Sequence, residues 1–144
     1  MTQIPIADGL YAGTSSEPRI LGSRCSNCGD LAFPARPVCA RCTGEDVAVV
    51  ELADVGTIWT WTSQEFRPPS PPYTGAEDFT RYYVGFVETA DGLVVESHLT
   101  GFDDRSPAIG EAVSLTMIPF RVDDDGNERM IHAFTPAPAN EGTA

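Results

Sequence analysis

All four cysteines of this 144-residue chain fall in one short stretch, CSNCGDLAFPARPVCARC, residues 25 to 42. Cys25 and Cys28 make one C-x2-C pair and Cys39 and Cys42 a second, with ten residues between them. A C-x2-C turn aims two sulfurs at one point, and two such knuckles brought together make a closed tetrahedral sulfur site for a structural metal. Gly29 follows the first pair and Gly44 stands two residues beyond the second, where such turns need a permissive backbone. The spacing points to zinc, with iron as the alternative ion. Two redox pairs or disulfides would instead need an oxidising compartment. The opening MTQIPIADGLYAG has neither the basic nor the apolar region of a signal peptide, so the chain is expected in the cytoplasm. No apolar run approaches membrane-spanning length. Four thiolates leave no coordination position for water, so the metal is expected to be structural.

Charge narrows the function classes. The formal net charge is −12, and every basic residue is an arginine. Without lysine there is no Schiff-base chemistry and no P-loop. An acidic surface repels phosphate backbones, which weighs against general nucleic-acid binding. Four arginines (19, 24, 36 and 41) nevertheless stand against Asp30 alone between residues 19 and 42, a local basic island that a zinc tetrathiolate would mute.

Outside the cysteines the chain reads as strands and turns. RILGSR (19–24) and LAFP (31–34) form two short strands of a ribbon. VAVVEL (47–52), GTIWTWTSQEF (56–66), RYYVGFVET (81–89), LVVESHLT (93–100), AVSLTMIPFRV (112–122) and ERMIHAFTP (128–136) follow. Alternation places Trp59 and Trp61 on one face of their strand, with Ile58, Thr60 and Thr62 on the other. Asp91-Gly92 and the run DDDGN mark hairpin turns, Pro119 an edge or a bulge, and Gly85 a point where a strand can coil. The expected fold is all-β: a zinc ribbon at 19–46, then a five-stranded barrel of the OB type at 47–136. Residues 1–18 are expected as a weakly ordered extension, with a short helix fitting somewhere in 5 to 14, and 137–144 as a flexible tail.

The connection RPPSPPYTGAEDFT (67–80) is long for a hairpin and stiffened by four prolines. Tyr73 and Phe79 stand in it either as anchors for a partner or as caps folded back on the barrel mouth. Catalytic motifs are absent: there is no GxSxG, HExxH, Walker A or GxGxxG. Glu96 and His98 share a strand face and His132 lies on the last strand. No nucleophile accompanies them, and a solvated strand face accounts for them better than proton transfer. DDDGNE has its glycine at the wrong place for a calcium loop and is explained by a turn.

In order along residues 10 to 136, PRILGSRCSNCGDLAFPARPVCARC, GTIWTWT, RPPSPPYTGAEDFTRYYVGFVE and AIGEAVSLTMIPFR resemble one family. It is the rubredoxin-type zinc ribbon plus OB-fold family, first catalogued as a domain of unknown function associated with acyl-CoA metabolism. The resemblance implies a small subunit beside a thiolase-fold enzyme, such as a sterol-carrier-type thiolase, a retro-aldolase of steroid side-chain breakdown or the benzylsuccinate-pathway thiolase. Other members sit beside hydroxymethylglutaryl-CoA-synthase-like acyltransferases or are fused to hydratases. In those complexes the catalytic cysteine and histidines belong to the thiolase-fold subunit. All four metal positions carry over to Cys25, Cys28, Cys39 and Cys42, and no catalytic residue does. Arg36 and Arg41 of the basic island, Arg67 and Arg81 at the ends of the long loop, and Tyr73 and Phe79 within it are the expected contacts to partner or CoA. Two other readings stay open: a single-stranded nucleic-acid-binding module, which would need a basic groove, and an autonomous redox protein or small-molecule binder, which would carry coloured iron.

Overall fold

The computed structural model describes residues 2–14, 16–75 and 77–137. Ten strands run in order: β1 (Gln3–Pro5), β2 (Tyr11–Gly13), β3 (Pro18–Cys25), β4 (Leu31–Ala32), β5 (Val47–Glu51), β6 (Val55–Gln64), β7 (Tyr82–Thr89), β8 (Val94–Leu99), β9 (Ala112–Val122) and β10 (Glu128–Pro136). The described residues include no helix, and none long and apolar enough to cross a membrane. The helix expected within 5 to 14 is absent. Gln3–Pro5 instead pairs in parallel with Glu128–Met130, and Tyr11–Gly13 pairs antiparallel with Pro18–Ile20. The N-terminal segment is stitched to both halves of the molecule by backbone hydrogen bonds that a local helix could not make. The tail expected as flexible lies, but for Ala137, outside the described residues.

Strands β6, β7, β8, β10 and β9 close on one another, because β9 pairs with both β10 and β6. The β8–β10 pair is parallel and the others antiparallel, which is the five-stranded OB barrel. Gly85 lies inside this coil. A Cβ there would stand 2.5 Å from the Thr60 carbonyl oxygen and 2.9 Å from Leu99, so only glycine lets β6 and β7 approach. A bulge beside Pro119 brings Phe120 in as an extra residue opposite Arg129 and Met130.

The ribbon sheet is built on β3, which pairs with β2 and β4 along one edge and β5 along the other. Thus 47–51, expected to open the barrel, hydrogen-bonds to the ribbon, and β6 is the barrel's first strand. Ribbon and barrel share one core: Ile20 and Leu52 pack in the same buried cluster as Ile58, Val87, Phe102, Val113 and Phe134.

Candidate functional site

The two cysteine knuckles repeat one backbone design. Gly29 N–H donates to the Cys25 carbonyl (2.8 Å) and Thr43 N–H to that of Cys39 (2.9 Å). Cys25 N–H donates to the Asp30 carbonyl (3.0 Å) and Cys39 N–H to that of Gly44 (2.9 Å). The residue after each second cysteine takes the left-handed conformation: Gly29 at φ 79° and Thr43 at φ 63°. The permissive role expected of Gly44 therefore belongs to Thr43, a β-branched residue for which that conformation is strained. Gly44 serves closeness instead, since a Cβ there would lie 3.3 Å from the Cys42 sulfur.

All four sulfurs lie within 4.8 Å of one another, with Cys25–Cys42 and Cys28–Cys39 each at 3.6 Å. Four sulfurs about 2.3 Å from a central ion would stand about 3.8 Å apart, so the cage has about the size that a tetrahedral metal needs. The Asn27 side-chain amide donates to the Cys42 sulfur (3.4 Å), and the N–H groups of Arg41 and Cys42 point at that of Cys39 (3.4 and 3.5 Å). The Asn27 amide, with help from the Gly44 N–H, lowers the Cys42 thiol to about 6. The Asp30 backbone N–H favours the Cys28 thiolate too, but burial and the three other sulfurs outweigh it and push Cys28 up to about 12. Hydrogen bonds that favour thiolates, set among sulfurs that oppose one another's ionisation, make a site that a cation completes. The four cysteines are positioned to bind a metal.

The other expected contact residues separate into groups. Arg36 and Arg41 are exposed in the ribbon, and Arg41 shares a cleft of about 300 Å³ with Arg24, Cys28 and the Gly92 turn. Tyr73 folds back so that its ring meets Phe120 edge-on at 5.7 Å, and Arg67 stacks over it at 5.0 Å. Phe79 leans on Tyr82 (5.8 Å), which stacks on His98 (4.6 Å), which in turn meets Phe120 (6.4 Å). The loop aromatics thus rest half-buried on the outside of the barrel, joined by one aromatic chain. Arg81 is exposed and stacks over Tyr83 at 4.8 Å.

The histidines are not the solvated pair expected from the sequence. His98 is covered by Tyr82 and Phe120, and His132 is 8% exposed between Tyr11 and Phe33. Burial lowers both imidazoles from their ordinary value, and the neighbouring His132 lowers His98 further. Both ring nitrogens of His132 are engaged within the chain: Nδ1 with the Tyr11 hydroxyl (2.6 Å) and Nε2 with the Glu96 carbonyl (2.9 Å). This imidazole is a clasp between ribbon and barrel.

Sequence reasoning missed Trp59. The β6–β7 register gains a residue between Ile58 and Thr60, which turns Trp59 out to 59% exposure while Trp61 packs against the core. The two tryptophans, expected on one face, are on opposite sides.

Known proteins with this architecture point one way. A model of the ChsH2 rubredoxin-like zinc ribbon domain matches residues 16–48, and one of the ChsH2 C-terminal OB-fold domain matches 49–117. A DUF35 domain-containing scaffold protein of Pyrococcus furiosus is 30% identical over 126 residues, covering 85% of this chain and 87% of that protein. The benzoylsuccinyl-CoA thiolase subunit BbsA of Thauera aromatica is 28% identical over 118 residues, 81% of this chain and 76% of its own. A chain of the solved Ltp2-ChsH2(DUF35) aldolase superposes with a TM-score of 0.63 at 27% identity, covering 83% of this chain and 86% of that one.

Proposed function

The chain belongs to the ChsH2-type, DUF35 family of zinc-ribbon and OB-fold scaffold proteins, and from that membership we propose that it is a non-catalytic subunit of a thiolase-fold enzyme acting on CoA thioesters. Its partner cleaves a carbon–carbon bond, either by thiolysis of a 3-oxoacyl-CoA or by retro-aldol cleavage of a 3-hydroxyacyl-CoA, as in the breakdown of steroid side chains or of aromatic and alkyl acyl groups. The observation that carries this reading is the likeness, over more than four fifths of the chain, to proteins named for just such assemblies: the Ltp2-ChsH2(DUF35) aldolase and a subunit of benzoylsuccinyl-CoA thiolase. The histidines support it, since both ring nitrogens of His132 are engaged within the chain and His98 is covered by Tyr82 and Phe120, which leaves the chemistry to the partner.

In this reading Cys25, Cys28, Cys39 and Cys42 hold zinc, whose work is to fix the ribbon. The ion would close a sulfur cage with no position for substrate, so this chain's own residues bind and orient rather than react. Arg36, Arg41 and Arg81, all exposed, supply cations to the partner or to CoA phosphates at the interface. Arg67, Tyr73 and Phe79 set the long loop that ends at Arg81. Reduced thiols suit assembly in the cytoplasm.

Affinity capture of the tagged chain from its native host, with mass spectrometry of what co-purifies, tests the proposal. A stoichiometric thiolase-fold partner is the expected result. Its isolated complex should cleave one of the two acyl-CoA classes, whereas the chain alone should cleave neither. A chain recovered alone, or with nucleic acid that survives high salt, would overturn the reading.

A further inference from the structure

The outer face of β6, β7 and β8 presents two large apolar rings between two carboxylates. In the register of β6 and β7, Ile58 opposes Val87 and Thr60 opposes Phe86, so the bulged residue Trp59 has no partner of its own. A bulge re-aims a side chain, and here it moves an indole out of the core and onto the surface. Trp59 meets the 40%-exposed Phe86 edge-on, with ring centroids 6.2 Å apart. Glu96 stands directly across from Phe86, and Glu88, two residues along β7, stands across from Thr57 and Val94. The strands β6, β7 and β8 contain no lysine or arginine, and neither carboxylate takes part in a salt bridge among the described residues. From Thr57 and Glu88 the surface continues into a cleft of about 430 Å³ walled by Val55, Ala112 and Val113.

Exposed Trp and Phe are costly to leave in water, and Trp leads the residues that anchor protein interfaces. Two carboxylates on strands that carry no arginine or lysine define the rim such anchors would meet, and they repel a phosphate backbone. We infer that Trp59 and Phe86 dock into an apolar pocket on the thiolase-fold partner, a pocket rimmed by Arg or Lys side chains that pair with Glu88 and Glu96. The inference rests on the partnership proposed above and assigns its anchor to side chains outside the proline-rich loop.

The test uses the full-length chain co-expressed with its thiolase-fold partner, and measures affinity by titration at two salt concentrations. Trp59→Ala is expected to weaken the complex about 30-fold or more. Glu88→Lys with Glu96→Lys is expected to weaken it about 10-fold and to reduce its loss of affinity with salt. Both sites are on the surface, and unchanged metal content together with an unchanged unfolding midpoint verifies that each variant folds. In a Trp61→Phe background, where Trp59 is the sole tryptophan, complex formation should shift emission to shorter wavelength. A wild-type complex that Trp59→Ala leaves intact, with emission unshifted, overturns this face and spares the partnership. A wild-type chain that binds no thiolase-fold protein overturns both. A chain that dimerises by itself through Trp59, or binds single-stranded DNA through it, overturns the assignment as well.

Discussion

The phenolic hydroxyl of Tyr11 lies 2.6 Å from Nδ1 of His132, across 121 residues of sequence. Nε2 of the same imidazole lies 2.9 Å from the Glu96 carbonyl, which can only accept, so Nε2 carries a proton; burial favours the neutral ring, to whose Nδ1 Tyr11 then donates. The backbone N–H of His132 donates back to the Tyr11 oxygen at 3.2 Å. One hydroxyl therefore holds the ribbon strand β2 to the barrel strand β10.

Tyr11→Phe should cost about 1–3 kcal/mol, because it strands a buried ring nitrogen and a backbone N–H while leaving the apolar packing in place. Urea unfolding measures this as a lowered midpoint at unchanged slope. An unchanged midpoint would show that the clasp contributes nothing.

Acid should loosen the same junction. His98 and His132 both titrate below their ordinary value in the folded chain, chiefly through burial. The unfolded chain takes up protons near pH 6.5, before the folded chain does. Stability is thus whole above that value and is lost as pH falls through 6.5 toward the depressed folded values, with a slope of up to two protons. Melting temperature should be level above about pH 7.5 and fall as the pH drops below about 6.5. Metal content followed in parallel separates this fall from loss of the ion, and a level curve across that window would contradict it.

The contrast between the cysteines and the tryptophans shows which parts of this fold are local enough to read from the chain. C-x2-C spacing, glycine turns at 92 and 126, and strand alternation depend on neighbours in sequence, and the metal cage, the hairpins and the OB barrel follow from them. Trp59 and Trp61 have the same parity in VGTIWTWTSQ, so nothing in β6 itself reveals a bulge that exists only in its register with β7. β1 was equally hidden, since its partners Glu128–Met130 lie at the far end of the chain. His132 reads as a surface residue until Tyr11 and Phe33 are brought over it.

Two backbone positions should respond in opposite directions. Gly85→Ala drives a methyl into the Thr60 carbonyl and Leu99, and should destabilise the barrel by about 1–3 kcal/mol or more. Thr43→Gly removes the strain of a β-branched residue at φ 63° and should raise the melting temperature, by an amount worth about 1 kcal/mol. A stabilised Gly85→Ala or a destabilised Thr43→Gly would contradict the readings of barrel coil and knuckle respectively.

Removing the metal should unmake the ribbon. Cys39→Ser takes away a buried ligand, the acceptor of two backbone N–H groups, and should lose the ion, unfold residues around the two knuckles and abolish partner binding. Metal analysis and amide exchange check the first two, and a variant that keeps both structure and complex would refute them.

The most direct measurement is the native mass of the chain co-purified with the thiolase-fold partner proposed for it, taken alongside metal analysis and cleavage assays of complex, partner and chain. The expected result is a stoichiometric hetero-oligomer carrying one zinc per copy of this chain, with cleavage activity in the complex and none in the chain alone. A chain that remains by itself, or that cleaves acyl-CoA without the partner, would contradict the account of a scaffold subunit.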